Sequence, residues 1–341
     1  MKTKSDWMKN QWSPYLLSCV LLNIVSIALL LLSSEAAPMM KGVGLAAYLL
    51  GLRHAFDADH IAAIDNTVRK LIEENRPSSG VGFFFSLGHS SVVLIMSVAL
   101  SLFVHWSQQH FSLIRQTGSW IGATISGLFL IAIAMVNLVI LIECRSAYRH
   151  WKENKQINLD LSDHRLWSRG PFVKLFHRLF RLINHSYQIY PIGFLFGLGF
   201  DTTTEIALLA LSAGMTKSTI SFAAVLALPM LFASGMVVVD TLDSILMTKA
   251  YKLAFHTPIR KLYYNIIVTS LSVTVALIIG SVELGQVLSS AFEWKNAFWF
   301  SLQKINFNAV GYGLVFIFLT VWLTSFIVWK KHVMPMAKQE K

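Results

Sequence analysis

Eight apolar segments, each about long enough to cross a membrane, constrain this chain more than any other feature. A helix needs about 20 apolar residues to cross the hydrocarbon core. Of the 341 residues, 55% are hydrophobic and only 14% are charged, whereas a soluble domain carries about 25% charged residues. The pattern predicts an all-α, polytopic membrane protein with a single domain over residues 1–341. The predicted spans are 14–33, 43–66, 81–104, 118–142, 189–211, 219–246, 262–284 and 307–329.

The basic residues are concentrated in alternate connecting segments. With the N-terminus in the cytoplasm, 23 lysines and arginines fall on the inner side and 5 on the outer side, as the positive-inside rule requires. This predicts a multi-pass protein of the cytoplasmic membrane with both termini cytoplasmic and a cytoplasmic loop at 143–188. Within that loop, residues 171–184 have the period of an amphipathic helix, which lies on the inner leaflet or packs on the bundle. The net charge of +11 reflects topology, so we expect a lipid bilayer and no nucleic acid as partner.

Ten acidic or histidine side chains fall in the interiors of the predicted spans, where a charge costs about 2.5–3.5 kcal/mol on insertion scales. They are confined to spans two, three, five and six, which we therefore expect to face one another inside a shell formed by the other spans. Imidazole and carboxylate are ligands of borderline divalent metals such as nickel, cobalt and zinc. The polar set predicts a site or path for a transition-metal cation. Its candidate ligands are His54, Asp57, Asp59, His60, His89, Asp201 and Glu205, with Arg53, Asp65, Asp240 and Asp243 as supporting residues.

Span two carries the densest polar run, Arg53-His-Ala-Phe-Asp-Ala-Asp-His-Ile61. On a regular helix His54, Asp57 and His60 can line one groove, while Asp59 points elsewhere. The two histidines would then be about 9 Å apart along the axis, too far to clasp one ion easily. Either the helix is distorted at this point, or the ligands serve successive positions on a path.

Spans five and six carry the remaining carboxylates. Asp201 and Glu205 stack at i, i+4 spacing on one face, and either could pair with Arg53. Asp240 and Asp243 lie nearer the cytoplasmic end of span six, where a solvated position fits the sequence as well as a transport role. The short similarity between 51–57 and 197–201, in spans of opposite orientation, indicates a possible inverted repeat of spans two and three with spans five and six.

Four segments of the chain resemble the motifs of the nickel/cobalt transporter family of secondary permeases, and they occur in the family's order. The family's eight-span architecture covers essentially the whole chain. The resemblance implies high-affinity uptake of Ni²⁺ or Co²⁺, with the family's metal-recognition element, His-x4-Asp-His, mapping to His54, Asp59 and His60. It also implies that the position of Phe56, which is Phe or Val in the family, influences the preference between the two metals. The four segments are Arg53–Ile61, Phe84–Ser90, Leu198–Ile206 and Gly235–Asp243.

Other membrane functions fit the sequence less well. The chain lacks the His-Glu-x-x-His motif of a zinc protease and the histidine boxes of a desaturase, and Gly214-Met-Thr-Lys-Ser lacks the first glycine of a nucleotide-binding loop. We therefore expect no enzyme activity, no cofactor and no ATPase subunit, with the membrane potential or an ion gradient driving transport. A nickel/cobalt efflux permease is the main alternative because related exporters share His-x4-Asp-His. Such exporters often have a histidine-rich cytoplasmic loop, whereas the histidines here are few and scattered, which favours import.

Overall fold

A computed structural model describes residues 12–34, 40–74, 76–102, 104–154, 183–199, 222–254, 258–294, 296–305 and 307–328. Within these ranges the chain is helical and forms no strand, as the all-α prediction requires. A short 3₁₀ helix at Ser186–Ile189 precedes α6. The α-helices are α1 Ser13–Ser34, α2 Met40–His54, α3 Ala58–Glu73, α4 Val81–Leu102, α5 Val104–Asn154, α6 Tyr190–Gly197, α7 Phe222–Ala254, α8 Pro258–Ala291, α9 Ala297–Gln303 and α10 Phe307–Val328.

Five of these helices contain a stretch long and apolar enough to cross a membrane, so the chain is an all-α membrane protein. These stretches coincide with predicted spans one, three, four, six and seven. Predicted span eight coincides with α10, whereas only the first part of predicted span five, α6, is described. The full count of eight spans therefore remains a prediction. The five stretches are Ser13–Ser33, Val81–Ala99, Gln116–Ser146, Leu226–Lys249 and Ile266–Ala291.

Predicted span two is two helices, α2 and α3, separated at Ala55, Phe56 and Asp57. Every residue of α3 from His60 to Ile72 is buried, because α4, α5, α7, α8 and α10 all pack around it. A discontinuous membrane helix is tolerated where its free backbone groups are enclosed by protein. The break therefore lies inside the bundle, and α3 forms its centre.

The outer helices have apolar side chains that no other part of the described protein covers. On α1, Leu17, Leu21 and Leu32 are each more than 60% exposed. Such an apolar surface would be unusual in water, but it is the expected outer face of a helix in contact with lipid. The shell predicted from the sequence is thus present at α1.

Two segments differ from the sequence-based boundaries. Span four was predicted to end at residue 142, but α5 runs without interruption to Asn154, so the predicted loop 143–188 begins as helix. Arg69 and Lys70, counted as residues of an inner loop, lie on α3 and are 1% and 4% exposed. The amphipathic helix predicted at 171–184 falls almost wholly outside the described residues.

Candidate metal centre

The break between α2 and α3 is a tight turn. The Phe56 amide donates to the Arg53 carbonyl at 3.1 Å, and the Asp57 amide donates to the His54 carbonyl at 2.8 Å. Asp57 then has extended backbone angles (φ −65°, ψ 143°) and begins α3 as its N-cap residue, a position that aspartate favours. The helix is therefore distorted, which is the first of the two alternatives left open by the sequence.

This turn brings three histidines together. The ring centroids of His54, His60 and His89 are 4.7 to 4.8 Å apart in all three pairs, and the side chains are almost completely buried. Each residue offers one nitrogen to a group of atoms that all lie within 4.8 Å of one another. His54 and His60 come from the two sides of the break, and His89 comes from α4. Among the described residues this is the cluster that could hold a metal ion.

Carboxylates lie behind two of these rings. His54 Nδ1 is 2.8 Å from Asp57 Oδ2, and His60 Nδ1 is 3.1 Å from Asp240 Oδ2. The His60–Asp240 contact is a hydrogen bond. Because an ionised carboxylate can only accept, Nδ1 of the neutral His60 ring carries the proton and Nε2 keeps its lone pair. The carboxylate–histidine arrangement that orients metal-binding imidazoles is built in this way.

With Nδ1 next to a carboxylate, Nε2 is the nitrogen of His54 and His60 that could bind a metal ion. His60 Nε2 is buried and has no hydrogen-bond partner among the described residues. His54 Nε2 lies 3.0 Å from His89 Nε2. Two nitrogens each about 2.0–2.1 Å from one ion, the usual metal–imidazole distance for zinc, would be about 3.0 Å apart at a right angle, so the observed spacing suits two adjacent ligands.

Two phenylalanine rings pack against the cluster. The Phe85 ring meets His60 edge-on at 4.9 Å, and the Phe232 ring lies 5.5 Å from His54. Water is thereby excluded from two sides, which strengthens electrostatic interactions inside the cluster. The charge of a bound cation must then be balanced by protein groups, and Asp57 and Asp240 are the carboxylates in direct contact with the histidines.

Asp240 is buried in the structure (1% exposed), so the solvated position that the sequence allowed for it is wrong. Besides contacting His60, its Oδ2 accepts a hydrogen bond from the Ser86 hydroxyl. Ser86 is not among the supporting residues predicted from the sequence. Its position three residues before His89, on the same face of α4, was the available signal.

Two further predicted residues, Asp59 and Arg53, neighbour the histidines in the chain, and Asp59 interacts electrostatically with His54 and His60. Asp59 is partly buried, and its Oδ1 accepts from the His60 amide at 2.9 Å in the first turn of α3, where a negative charge is favourable. Arg53 is exposed. Its proposed partners, Asp201 and Glu205, lie outside the described residues.

Asp65 and Asp243 extend the acidic set beyond Asp240. Asp243 interacts electrostatically with Asp240 and Asp65. Asp65 accepts from the Ser272 hydroxyl and pairs with Arg69 at 3.5 Å. The Arg69 guanidinium also donates to Thr269 Oγ1 at 2.7 Å, so this end of α3 is fastened to α8.

The fold and this cluster define a polytopic helical membrane protein with a buried histidine–carboxylate centre. A family model described as NicO, high-affinity nickel-transport protein, matches residues 40–328. The chain therefore belongs to the NicO family of high-affinity nickel-transport proteins, which confirms the resemblance seen in its four motifs.

Individual relatives match over nearly the whole chain. The chain is 46% identical to the nickel transporter NixA of Staphylococcus aureus, covering 94% of both proteins. It is 44% identical to the high-affinity nickel-transport protein NixA of Helicobacter pylori, covering 94% of this chain and 97% of the relative. It is also 35% identical to the cobalt transport protein NhlF of Rhodococcus rhodochrous, covering 93% of this chain and 91% of the relative. No solved structure matches the chain.

Proposed function

We propose that this protein is a secondary permease that takes up Ni²⁺, and Co²⁺ with lower affinity, across the cytoplasmic membrane. The observation that carries the proposal is the convergence of His54, His60 and His89 within 4.8 Å, with carboxylates on Nδ1 of the first two. The family and the names of its relatives support nickel or cobalt as the substrate.

The chemistry of the centre favours a divalent transition metal. Nitrogen ligands suit nickel, copper and zinc, whereas magnesium and calcium prefer oxygen. Asp57 and Asp240 together carry two negative charges when ionised, which balance the charge of one divalent cation in a dry site. Affinity for nitrogen ligands rises from cobalt to nickel, so nickel is the preferred substrate in this proposal.

The proposed roles of the acidic residues follow from their positions. Asp57 and Asp240 orient the histidines, and Asp59 supports the first turn of α3. We infer from the sequence alone that Asp201 and Glu205 contribute oxygen ligands along the same path. Asp243 and Asp65 continue the acidic set beyond Asp240.

The membrane potential favours uptake. A divalent cation moving inward gains about 4.6 kcal/mol per 100 mV of membrane potential, twice the value for one charge. No relative described above is named as an exporter, which gives the efflux alternative no support.

Impermeant thiol reagents test the orientation of the protein in the membrane, because a cysteine placed at Ser162 should react only from the cytoplasmic side and one at Ser290 only from the outside.

An inverted repeat is part of the proposal. If a two-fold axis exchanges span two with five and span three with six, the contact of α2 with α7 corresponds to that of α6 with α4. Both contacts are close: a Cβ on Gly51 would overlap the Phe232 carbonyl, and one on Gly193 would overlap the Phe85 carbonyl. This correspondence supports a central site between two related hairpins.

Uptake of radiolabelled Ni²⁺ and Co²⁺ into cells tests the proposal. We expect saturable Ni²⁺ uptake that is competed by Co²⁺ more strongly than by Mn²⁺, and that is lost in His60→Ala at equal protein in the membrane. Uptake equal to that of cells without the protein, or metal loss from preloaded cells, would contradict it.

A further inference from the structure

The last described helix, α10, crosses the break in span two at a glycine. Gly311 is buried against the turn, and a Cβ at this position would overlap the Phe56 carbonyl oxygen and lie 3.2 Å from the Ala58 amide nitrogen. These neighbours are backbone atoms, which cannot move aside as a flexible side chain could. The close approach of α10 to the turn is therefore possible only with glycine at 311.

The next residue of α10 continues this contact with its side chain. The Tyr312 ring lies 5.2 Å from the Phe56 ring at an angle of 33°, within the range of favourable aromatic pairs. Gly313, one residue further on, has nothing within 4 Å of the position its Cβ would take. Only part of the helix surface therefore contacts the turn.

The turn that α10 contacts also sets the positions of the histidines. Phe56 lies between His54, the last residue of α2, and Asp57, which contacts the His54 ring. His60 follows in the first turn of α3. A displacement of the Phe56 backbone would therefore move Asp57 and change the spacing between His54 and His60.

We propose that Gly311 and Tyr312 are positioning residues that hold the break in span two and thereby set the relative transport of Ni²⁺ and Co²⁺. The inference rests on the proposed function, because it assigns these residues to the histidine centre. Metals with similar affinity for nitrogen ligands are distinguished by the geometry that the protein imposes. A change in the spacing of His54 and His60 should therefore alter the uptake of the two metals unequally.

If Gly311 and Tyr312 served only to pack α10 against the bundle, replacing them would have a different effect on uptake. Loss of packing would lower the amount of protein in the membrane, and with it the maximal rate for both metals equally. A positioning role instead changes the apparent KM and the ratio of Ni²⁺ to Co²⁺ uptake per molecule of protein. These readouts separate the two roles.

The experiment compares Gly311→Ala with the matched control Gly313→Ala, using radiolabelled Ni²⁺ and Co²⁺ uptake normalised to protein in the membrane. We expect Gly311→Ala to raise the KM for Ni²⁺ about tenfold, the lower end of the effect of outer-shell changes on metal affinity, and to change the Ni²⁺ to Co²⁺ ratio. Gly313→Ala should have the same KM for Ni²⁺ and the same ratio of Ni²⁺ to Co²⁺ uptake as the unchanged protein. Equal KM values and ratios in the two variants would overturn the proposal.

Tyr312 gives a second, independent comparison if Gly311→Ala does not reach the membrane. Tyr312→Ala removes the ring and should change the ratio of Ni²⁺ to Co²⁺ uptake. Tyr312→Phe keeps the ring and should leave this ratio unchanged. An unchanged ratio in Tyr312→Ala overturns the proposal in that case. If the unchanged protein transports neither metal, the proposed function itself fails, which is a distinct result.

Discussion

His60 Nδ1 lies 3.1 Å from Asp240 Oδ2, although the two residues are 180 positions apart in the chain. This contact joins α3 to α7 at the histidine cluster, and both side chains are almost completely buried. It restrains the orientation of the His60 ring, whose Nε2 has no hydrogen-bond partner among the described residues. The proposed transport function depends on this contact.

Replacing Asp240 with Asn should weaken metal binding while keeping the size of the side chain. The amide lacks the negative charge that supports the imidazole, and outer-shell changes of this kind reduce metal affinity about 10–100-fold. We expect a rise of that order in the KM for Ni²⁺ uptake. Leu242→Ala, at an exposed position two residues along α7, is the control, and an equal KM in both variants would argue against the role of Asp240.

Ser86→Ala should have a smaller effect in the same direction. The variant removes the hydroxyl that donates to Asp240 but leaves in place the carboxylate that contacts His60. The KM for Ni²⁺ should rise by less than in Asp240→Asn. Ser90→Ala serves as the comparison, because its hydroxyl has no hydrogen-bond partner among the described residues. The interpretation fails if Ser90→Ala changes the KM as much as Ser86→Ala.

The sequence predicted the composition of the site better than its geometry. His54, His60 and His89 stood out because histidines are rare in apolar spans. A distortion of span two was one of two alternatives that the sequence left open. The sequence could not decide between them, because Ala55–Asp57 contains neither proline nor glycine, the usual signals of a helix break. The break depends on packing inside the bundle, where α10 contacts Phe56. The pairing of His60 with Asp240 is likewise a tertiary contact without a local sequence signal.

Removing any one histidine of the cluster should nearly abolish uptake. His54→Ala, His60→Ala and His89→Ala each delete one of the three nitrogens that converge in the cluster. We expect protein levels in the membrane to be maintained. His185→Ala, which changes an exposed histidine outside the cluster, should transport normally. Unchanged Ni²⁺ affinity in His54→Ala would exclude the proposed site in span two.

Acidification should weaken metal binding to the purified protein. Ni²⁺ binds neutral imidazole, so protons compete with it for the same nitrogen. Between about pH 7.5 and about pH 5.5, a range that includes the ordinary titration of histidine, the affinity for Ni²⁺ should fall as pH falls. Equilibrium binding in detergent is the suitable measurement, because it excludes effects of a proton gradient. An affinity for Ni²⁺ that rises as the pH falls would contradict imidazole ligation.

The buried Arg69–Asp65 pair should contribute to stability. Arg69→Leu leaves the Asp65 carboxylate without its buried cation, and breaking a buried pair in this way costs about 3–5 kcal/mol. The melting temperature in detergent should therefore fall clearly. Arg76→Leu is the control, because its ion pair with Glu74 is about 40% exposed and exposed pairs contribute about 0–1 kcal/mol. Equal melting temperatures in the two variants would contradict the structural role of Arg69.

Nickel K-edge X-ray absorption on the purified, nickel-loaded protein tests most directly whether the three histidines share one ion. We expect outer-shell scattering from about three imidazole rings, the number in the cluster, and the loss of one ring in His89→Ala. His185→Ala should leave the spectrum unchanged. A nickel environment of oxygen ligands only, or a spectrum unaffected by His89→Ala, would contradict the proposed metal centre.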